Sequence, residues 1–166
     1  MTNTTKQLVV GGGCFWGLED LIRTQTGVID TEVGYAGGTN GNPTYENHPG
    51  HAEVVQITYD TNQTSFKKLL AYFFRIHNPT TPNQQGNDIG TSYRSVIFYT
   101  DETEKKEAEE VISLVNASGL YTDPVVTQVV PAVPFYSAEE YHQDYLQKHP
   151  GGYTCHFERG DKGFLG

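Results

Sequence analysis

The stretch Lys6-Gln7-Leu8-Val9-Val10-Gly11-Gly12-Gly13-Cys14-Phe15-Trp16-Gly17 reads as a strand that runs out into three glycines and turns into a helix at or just after a cysteine. Phe15, Leu18, Leu21 and Ile22 recur at helical spacing and carry that helix on to Thr26. Working outward, Val28 to Tyr35 alternates as a strand and Ala52 to Asp60 as another. Ser65 to His77 is a helix with Ser65 placed to cap it. Tyr93 to Tyr99 is a strand, Asp101 to Ala117 a helix, Val125 to Val130 a strand and Glu139 to Lys148 a final helix, followed by an irregular tail from His149. The order β-α-β-β-α-β with an added helix and strand predicts an α+β chain, a ferredoxin-like two-layer α/β sandwich. Two polar loops interrupt it, Gly34 to His51 and Asn78 to Ser92. Loops of that length inside a compact domain are usually functional, so they are expected to shape the site.

The 166 residues fit a single catalytic domain spanning 1–166, with 36% hydrophobic and 19% charged residues, ordinary for a globular chain. The net charge of −9 and the lack of a basic stripe argue against nucleic acid and against an anionic membrane surface as partners. No apolar run reaches the ~18 residues of a membrane span, and the polar start Met1-Thr2-Asn3-Thr4-Thr5 lacks a signal segment, so a cytoplasmic location and a monomer are expected.

Two cysteines, Cys14 and Cys155, stand near opposite ends. A reducing compartment disfavours a permanent staple, and neither cysteine has a partner at zinc-site spacing. Inert and reactive thiols both remain open on that count. Around Cys14 the local sequence favours reactivity. Backbone N–H groups and the helix dipole at a strand–glycine–helix junction stabilise an anion, and cysteine pKa values at such positions fall to roughly 3.5–7.5. Phe15 and Trp16 would give that nucleophile a wall for a small apolar group. The competing account is a buried core cysteine with ordinary aromatic packing, but a core helix needs no triple glycine. A phosphate loop is weaker still, because no Lys-Ser/Thr follows the glycines.

Gly13-Cys14-Phe15-Trp16-Gly17 resembles the active-site motif of the peptide methionine sulfoxide reductase A family. The resemblance continues through Gly34-Tyr35-Ala36-Gly37-Gly38, Asn42-Pro43-Thr44-Tyr45, Gly50-His51-Ala52-Glu53, Gly86-Asn87-Asp88-Ile89-Gly90-Thr91, Tyr93-Arg94-Ser95 and Gly152-Tyr153-Thr154-Cys155, in the family's order and over nearly the whole chain. It implies an oxidoreductase that returns methionine S-sulfoxide, free or in proteins, to methionine.

Sulfoxide oxygen leaves only when protonated, so the chemistry needs a proton donor within hydrogen-bond reach. Glu53, where the glycine loop meets an apolar strand, is the candidate acid. Burial and a nearby thiolate would raise its pKa. Tyr45 and Tyr93 resemble the family's paired phenols that hold the sulfoxide oxygen, and Asp88 resembles a position that orients substrate or water. The resemblance makes Cys155 the resolving cysteine, closing a disulfide on a Cys14 sulfenic acid. Thioredoxin or a similar dithiol is then the external reductant, with no cofactor bound. His48 and His51 lack a convincing third ligand, so no metal is assigned and His51 is expected to fix the loop that carries Glu53. A cysteine hydrolase would instead need a histidine base such as His51 or His142 beside Cys14.

Overall fold

The computed structural model describes residues 4–154 and 156. In chain order the elements are β1 (Thr5–Gly11), α1 (Phe15–Ile22), β2 (Val28–Ala36), β3 (Ala52–Asp60), α2 (Phe66–Phe73), β4 (Gln84–Gln85), β5 (Asp88–Ile89), β6 (Val96–Tyr99), α3 (Glu102–Ala117), β7 (Gln128–Pro131), β8 (Phe135–Ser137) and α4 (Tyr145–Lys148). Short 3-10 turns lie at Thr91–Tyr93 and Glu140–His142.

One sheet has the order β7-β6-β1-β3-β2-β8. Its four central strands, β6-β1-β3-β2, are mutually antiparallel neighbours, as the β-α-β-β-α-β reading requires. The additions sit at the edges: β7 lies parallel to β6 after the α3 crossover, and β8 pairs antiparallel with β2. Between the two edge strands run only Ala132, Val133 and Pro134. Four residue steps reach about 14 Å, whereas the edges of a flat six-stranded sheet stand about 24 Å apart. The sheet must therefore curl until its edges approach.

The curl divides the core by the period-two alternation of each strand. Leu8, Val10, Val33, Tyr35, Val55, Ile57, Tyr59 and Ile97 face the helices and pack on Phe15, Leu18, Leu70, Phe73, Phe74 and Val111. The intervening Ala36, Ala52, Val54, Val96 and Phe98, joined by Val9, Val130 and Phe135, fill the inside of the curl. Small residues dominate there because that space is narrow. Glu53 belongs to the helix-facing row of β3, at the end where the row runs out of apolar residues.

Several sequence expectations shift at their boundaries. The first helix stops at Ile22 rather than Thr26, because Thr24 Oγ1 turns back to the Leu21 carbonyl at 2.7 Å and the chain reverses through Gly27. Tyr93 falls in a 3-10 turn, and β6 starts only at Val96. The final helix is broken into a 3-10 turn and α4. Gln143 spends its amide on both the N–H and C=O of Val33, and Asp144 takes a left-handed φ of 53° while its N–H donates to Glu19. These tertiary bonds outweigh helix continuation. The pairings β4–β5 and β2–β8 are too short for alternation to announce.

Both α2 and α3 start at a side-chain cap: Ser65 as the sequence suggests, and Asp101 one residue before the helix it was read to begin. Ser65 Oγ accepts from Lys68 N–H at 3.1 Å, and Asp101 Oδ1 accepts from Glu104 N–H at 2.8 Å while the Glu104 carboxylate reaches back to Thr100. Removing either cap should cost about 1 kcal/mol. For Ser65→Ala and Asp101→Ala, thermal denaturation should show Tm lowered by about 2–4 °C each. An unchanged Tm in both would contradict the capping assignment.

Candidate active site

β1 ends and β3 begins at the same edge of the sheet, so antiparallel pairing brings the glycine run to Glu53. Gly11 packs so closely there that a Cβ would stand 2.8 Å from the Glu53 carbonyl oxygen. Gly13 then takes φ +96°, a left-handed turn that aims Cys14 into the N-cap position of α1. The cysteine makes no side-chain cap bond. Instead, Glu53 Oε1 accepts from Phe15 N–H at 3.2 Å, supplying from β3 the acceptor that the helix start lacks.

Glu53 is 2% exposed. Burial pushes its pKa from the ordinary 4.5 up to about 8; the Phe15 N–H bond opposes this and the Asp88 charge adds to it. The like charge in that balance is thus the Asp88 carboxylate, where the sequence reading expected a thiolate. At neutral pH the group keeps its proton. With Oε1 engaged by Phe15, the other oxygen is left as the donor.

The two phenols gather around this pair from separate loops. Tyr45 is held by its backbone N–H, which donates to Glu139 Oε2 at 3.0 Å, while Tyr35 Oη donates to Glu139 Oε1 at 2.9 Å from β2. Tyr93 closes the 3-10 turn before β6. Burial raises the pKa of both Tyr45 and Tyr93, and the charges of Glu53, Cys14 and Asp88 raise them further. Both therefore stay protonated donors. Asp88, on β5, accepts from Tyr153 Oη at 3.1 Å. The structure thus brings Cys14, Glu53, Tyr45, Tyr93 and Asp88 into one electrostatic neighbourhood.

The aromatic pair splits in character. Phe15 is fully buried against Tyr35 and His142, while Trp16 is half-buried and stacks on Tyr145 with ring centres 3.7 Å apart. Trp16 Nε1–H donates to His142 Nδ1 at 3.0 Å, which leaves the neutral imidazole's proton on Nε2. Burial keeps His142 neutral by lowering its pKa. Glu139, Gln143 and Tyr145 were missed as site residues in the sequence, and His142 was named there only as a hydrolase's base, not as the partner of Trp16. Their run Glu139–Tyr145 looks like part of an ordinary polar helix, and only the break in that helix turns them toward α1.

The histidines that a hydrolase reading offers as bases, His51 and His142, are engaged elsewhere, as is His48. His51 is spent on Gly38 N–H and the Asn40 carbonyl, His48 on the Thr44 carbonyl and Ser92, and His142 Nδ1 on Trp16. His51 does pin the glycine loop next to Glu53, as the sequence suggested. Among the described residues no group of three or more His, Cys, Asp or Glu side chains could hold a metal ion, and no helix is long and apolar enough to cross a membrane. Cys155 lies outside the described residues.

The raised carboxyl has a stability consequence. The folded protein holds the Glu53 proton up to about pH 8, whereas an unfolded chain releases it near 4.5. The stability this group contributes is full below the lower value, declines across the interval and is lost above the higher one. Glu53→Gln, neutral at every pH, should gain Tm relative to the parent at pH 9 but not at pH 4. Parallel Tm profiles of the two proteins across that range would contradict the assignment.

Comparison with known proteins agrees with this geometry. The family model for peptide methionine sulfoxide reductase matches residues 6–163. The chain is 58% identical over 157 residues to a Nocardia farcinica protein named peptide methionine sulfoxide reductase MsrA, covering 95% of this chain and 92% of that one. It is 60% identical over 154 residues to a Mycolicibacterium gilvum protein of the same name, covering 93% and 91%. Among solved structures, reduced Mxr1 of Saccharomyces cerevisiae matches with a TM-score of 0.86 at 35% identity over 94% of this chain and 93% of that one. Methionine sulfoxide reductase A of Corynebacterium diphtheriae matches at 0.80 and 35% identity over 96% and 82%. Mxr1 in complex with Trx2 matches at 0.65 and 25% identity over 94% and 91%. A cysteine at a helix start whose next residue bonds a buried, proton-bearing carboxyl suits sulfoxide reduction, and with these relatives the chain belongs to the peptide methionine sulfoxide reductase family, an oxidoreductase acting on methionine sulfoxide.

Proposed function

We propose that the chain reduces the S epimer of methionine sulfoxide, free or in proteins, through a Cys14 sulfenic acid and a Cys14–Cys155 disulfide that thioredoxin or a similar dithiol reopens. The observation that carries this reading is the Phe15 N–H bond to Glu53, which sets a proton-bearing carboxyl beside the residue that follows the nucleophile. Cys14 sulfur attacks the sulfoxide sulfur as Glu53 delivers its proton to the departing oxygen. Tyr45 and Tyr93 donate to the same oxygen as charge develops on it. Trp16, backed by the buried Phe15, faces the methyl group, and Asp88 orients substrate or water.

In sum, thiol and sulfoxide become sulfenic acid and thioether. The substrate sulfur gains two electrons, Cys14 loses two, and the oxygen ends on Cys14. The Cys155 thiol then attacks the sulfenic sulfur, forming the disulfide and releasing water. Two observations support that partner. Thr154 and His156, the neighbours of Cys155 in sequence, pack on Gly17 and Gly12, which flank Cys14. The Trx2 complex of the structurally similar yeast Mxr1 supports thioredoxin as reductant. The reading is completed by a single catalytic unit spanning 1–166, monomeric and cytoplasmic, with no bound cofactor and no nucleic-acid partner.

The roles separate in single-turnover experiments without reductant. Cys14→Ser should form no methionine, and Glu53→Gln should slow methionine formation by about 10²–10³-fold, the range for loss of a general acid. With thioredoxin supplied, where the parent turns over repeatedly, Cys155→Ser should release one methionine per chain and then stall. Retention of near-parental rate by Glu53→Gln, or sustained thioredoxin-driven turnover by Cys155→Ser, would overturn the respective role.

A further inference from the structure

His156 is a buried, hydrogen-bonded histidine that the sulfoxide chemistry above does not use. It is 7% exposed, and its Nε2–H donates to the Gly12 carbonyl at 2.6 Å. Burial lowers its pKa, so the ring is neutral and one nitrogen is free of a proton. Its own backbone N–H donates to Thr154 Oγ1 at 3.1 Å.

The glycines of the motif are shaped to this docking. Gly17 lies inside α1, where glycine costs about 1 kcal/mol relative to alanine. A Cβ there would collide with Thr154 Oγ1 and stand 2.6 Å from His156 Nδ1. A Cβ on Gly13 would stand 3.0 Å from His156 Nε2 and 2.7 Å from Gln85 Cγ. Gln85 is itself clamped to Asn78 by two bonds of 2.8 and 2.9 Å, so that side of the seat is rigid. Tyr153 adds a further tie through Asp88. Residues on both sides of Cys155 in sequence are thereby fastened to residues on both sides of Cys14.

We propose that His156 is a positioning residue for disulfide closure. By holding Thr154 and itself against Gly17 and Gly12, it raises the effective concentration of the resolving thiol at the Cys14 sulfenic acid, ahead of external thiols and further oxidation. The inference rests on the reading of Cys155 as the resolving cysteine. The chemistry is unchanged from that reading: sulfenic acid and thiol give disulfide and water. What His156 supplies is proximity, which in well-oriented intramolecular reactions is worth many orders of magnitude.

The test uses the full chain, fully reduced, mixed with methionine sulfoxide in the absence of reductant. Methionine release and the loss of the second thiol are followed separately in acid-quenched samples, with dimedone trapping the sulfenic acid. His156→Ala should release its first methionine at the parent rate, close the disulfide at least tenfold more slowly and accumulate the dimedone adduct. His156→Gln, which retains an N–H donor, should recover part of the closure rate. Turnover driven by dithiothreitol, which can attack a sulfenic acid directly, should fall less than turnover driven by thioredoxin. Disulfide closure at the parent rate in His156→Ala would overturn the proposal. Should that variant lose its folded circular-dichroism signal, Gly17→Ala displaces the same contact from the helix side and is read by the same criteria. A parallel Cys155→Ser sample, supplied with thioredoxin as the dithiol reductant, separates the two claims. If it stalls after one methionine while His156→Ala closes normally, only the positioning role fails; if it turns over repeatedly, the resolving role itself fails.

Discussion

One hydrogen bond organises the site: Phe15 N–H to the buried Glu53 carboxyl. It joins the first turn of α1 to the start of β3, and therefore links the proposed nucleophile's helix to the proposed acid. The bond also divides the carboxyl's two oxygens between an accepting role and a donating one. Because Glu53 supplies the helix start with its acceptor, Cys14 occupies the N-cap position without making a cap bond. The cost is a carboxyl sealed from water at the end of an apolar row, and the protein meets it by keeping the group protonated.

The fold serves this bond by bringing distant loops to one edge of a curled sheet. Antiparallel pairing of β1 with β3 sets Gly11 against Glu53, and the curl brings the segment after β8 back over α1. That segment delivers Glu139, which anchors Tyr45, and His142 with Tyr145, which hold Trp16. The buried Glu19 with the partly exposed Arg23 and Asp144 ties the segment down at its far end: Arg23 Nη1 meets Asp144 Oδ1 at 2.6 Å, and Asp144 N–H meets Glu19 Oε1 at 3.0 Å. The wall beside the nucleophile is thus assembled from two helices that are far apart in sequence.

Much of this was legible in the residues. Strand alternation and the strand–glycine–helix junction announced the central four strands and the placement of Cys14, because those signals are local and periodic. The Ser65 cap was equally local. Glu53 was readable only by joining chemistry to resemblance, since a strand glutamate is ordinarily solvent-facing and nothing in its neighbours reveals which face it takes. The final helix misled, because Gln143 and Asp144 trade helical bonds for partners on β2 and α1 that no window of sequence contains. For the same reason Tyr145 and the pairing of His142 with Trp16 stayed hidden, and Phe15 proved a buried support rather than an open surface.

The central claim is that Glu53 carries a proton at neutral pH while bonded to the helix that Cys14 begins. The most direct measurement is a titration of the Glu53 side-chain carboxyl by carbon NMR, assigned by its loss in Glu53→Gln. The account predicts a midpoint near about 8. A midpoint near the ordinary 4.5 would leave the carboxyl ionised at working pH and contradict its role as the proton source.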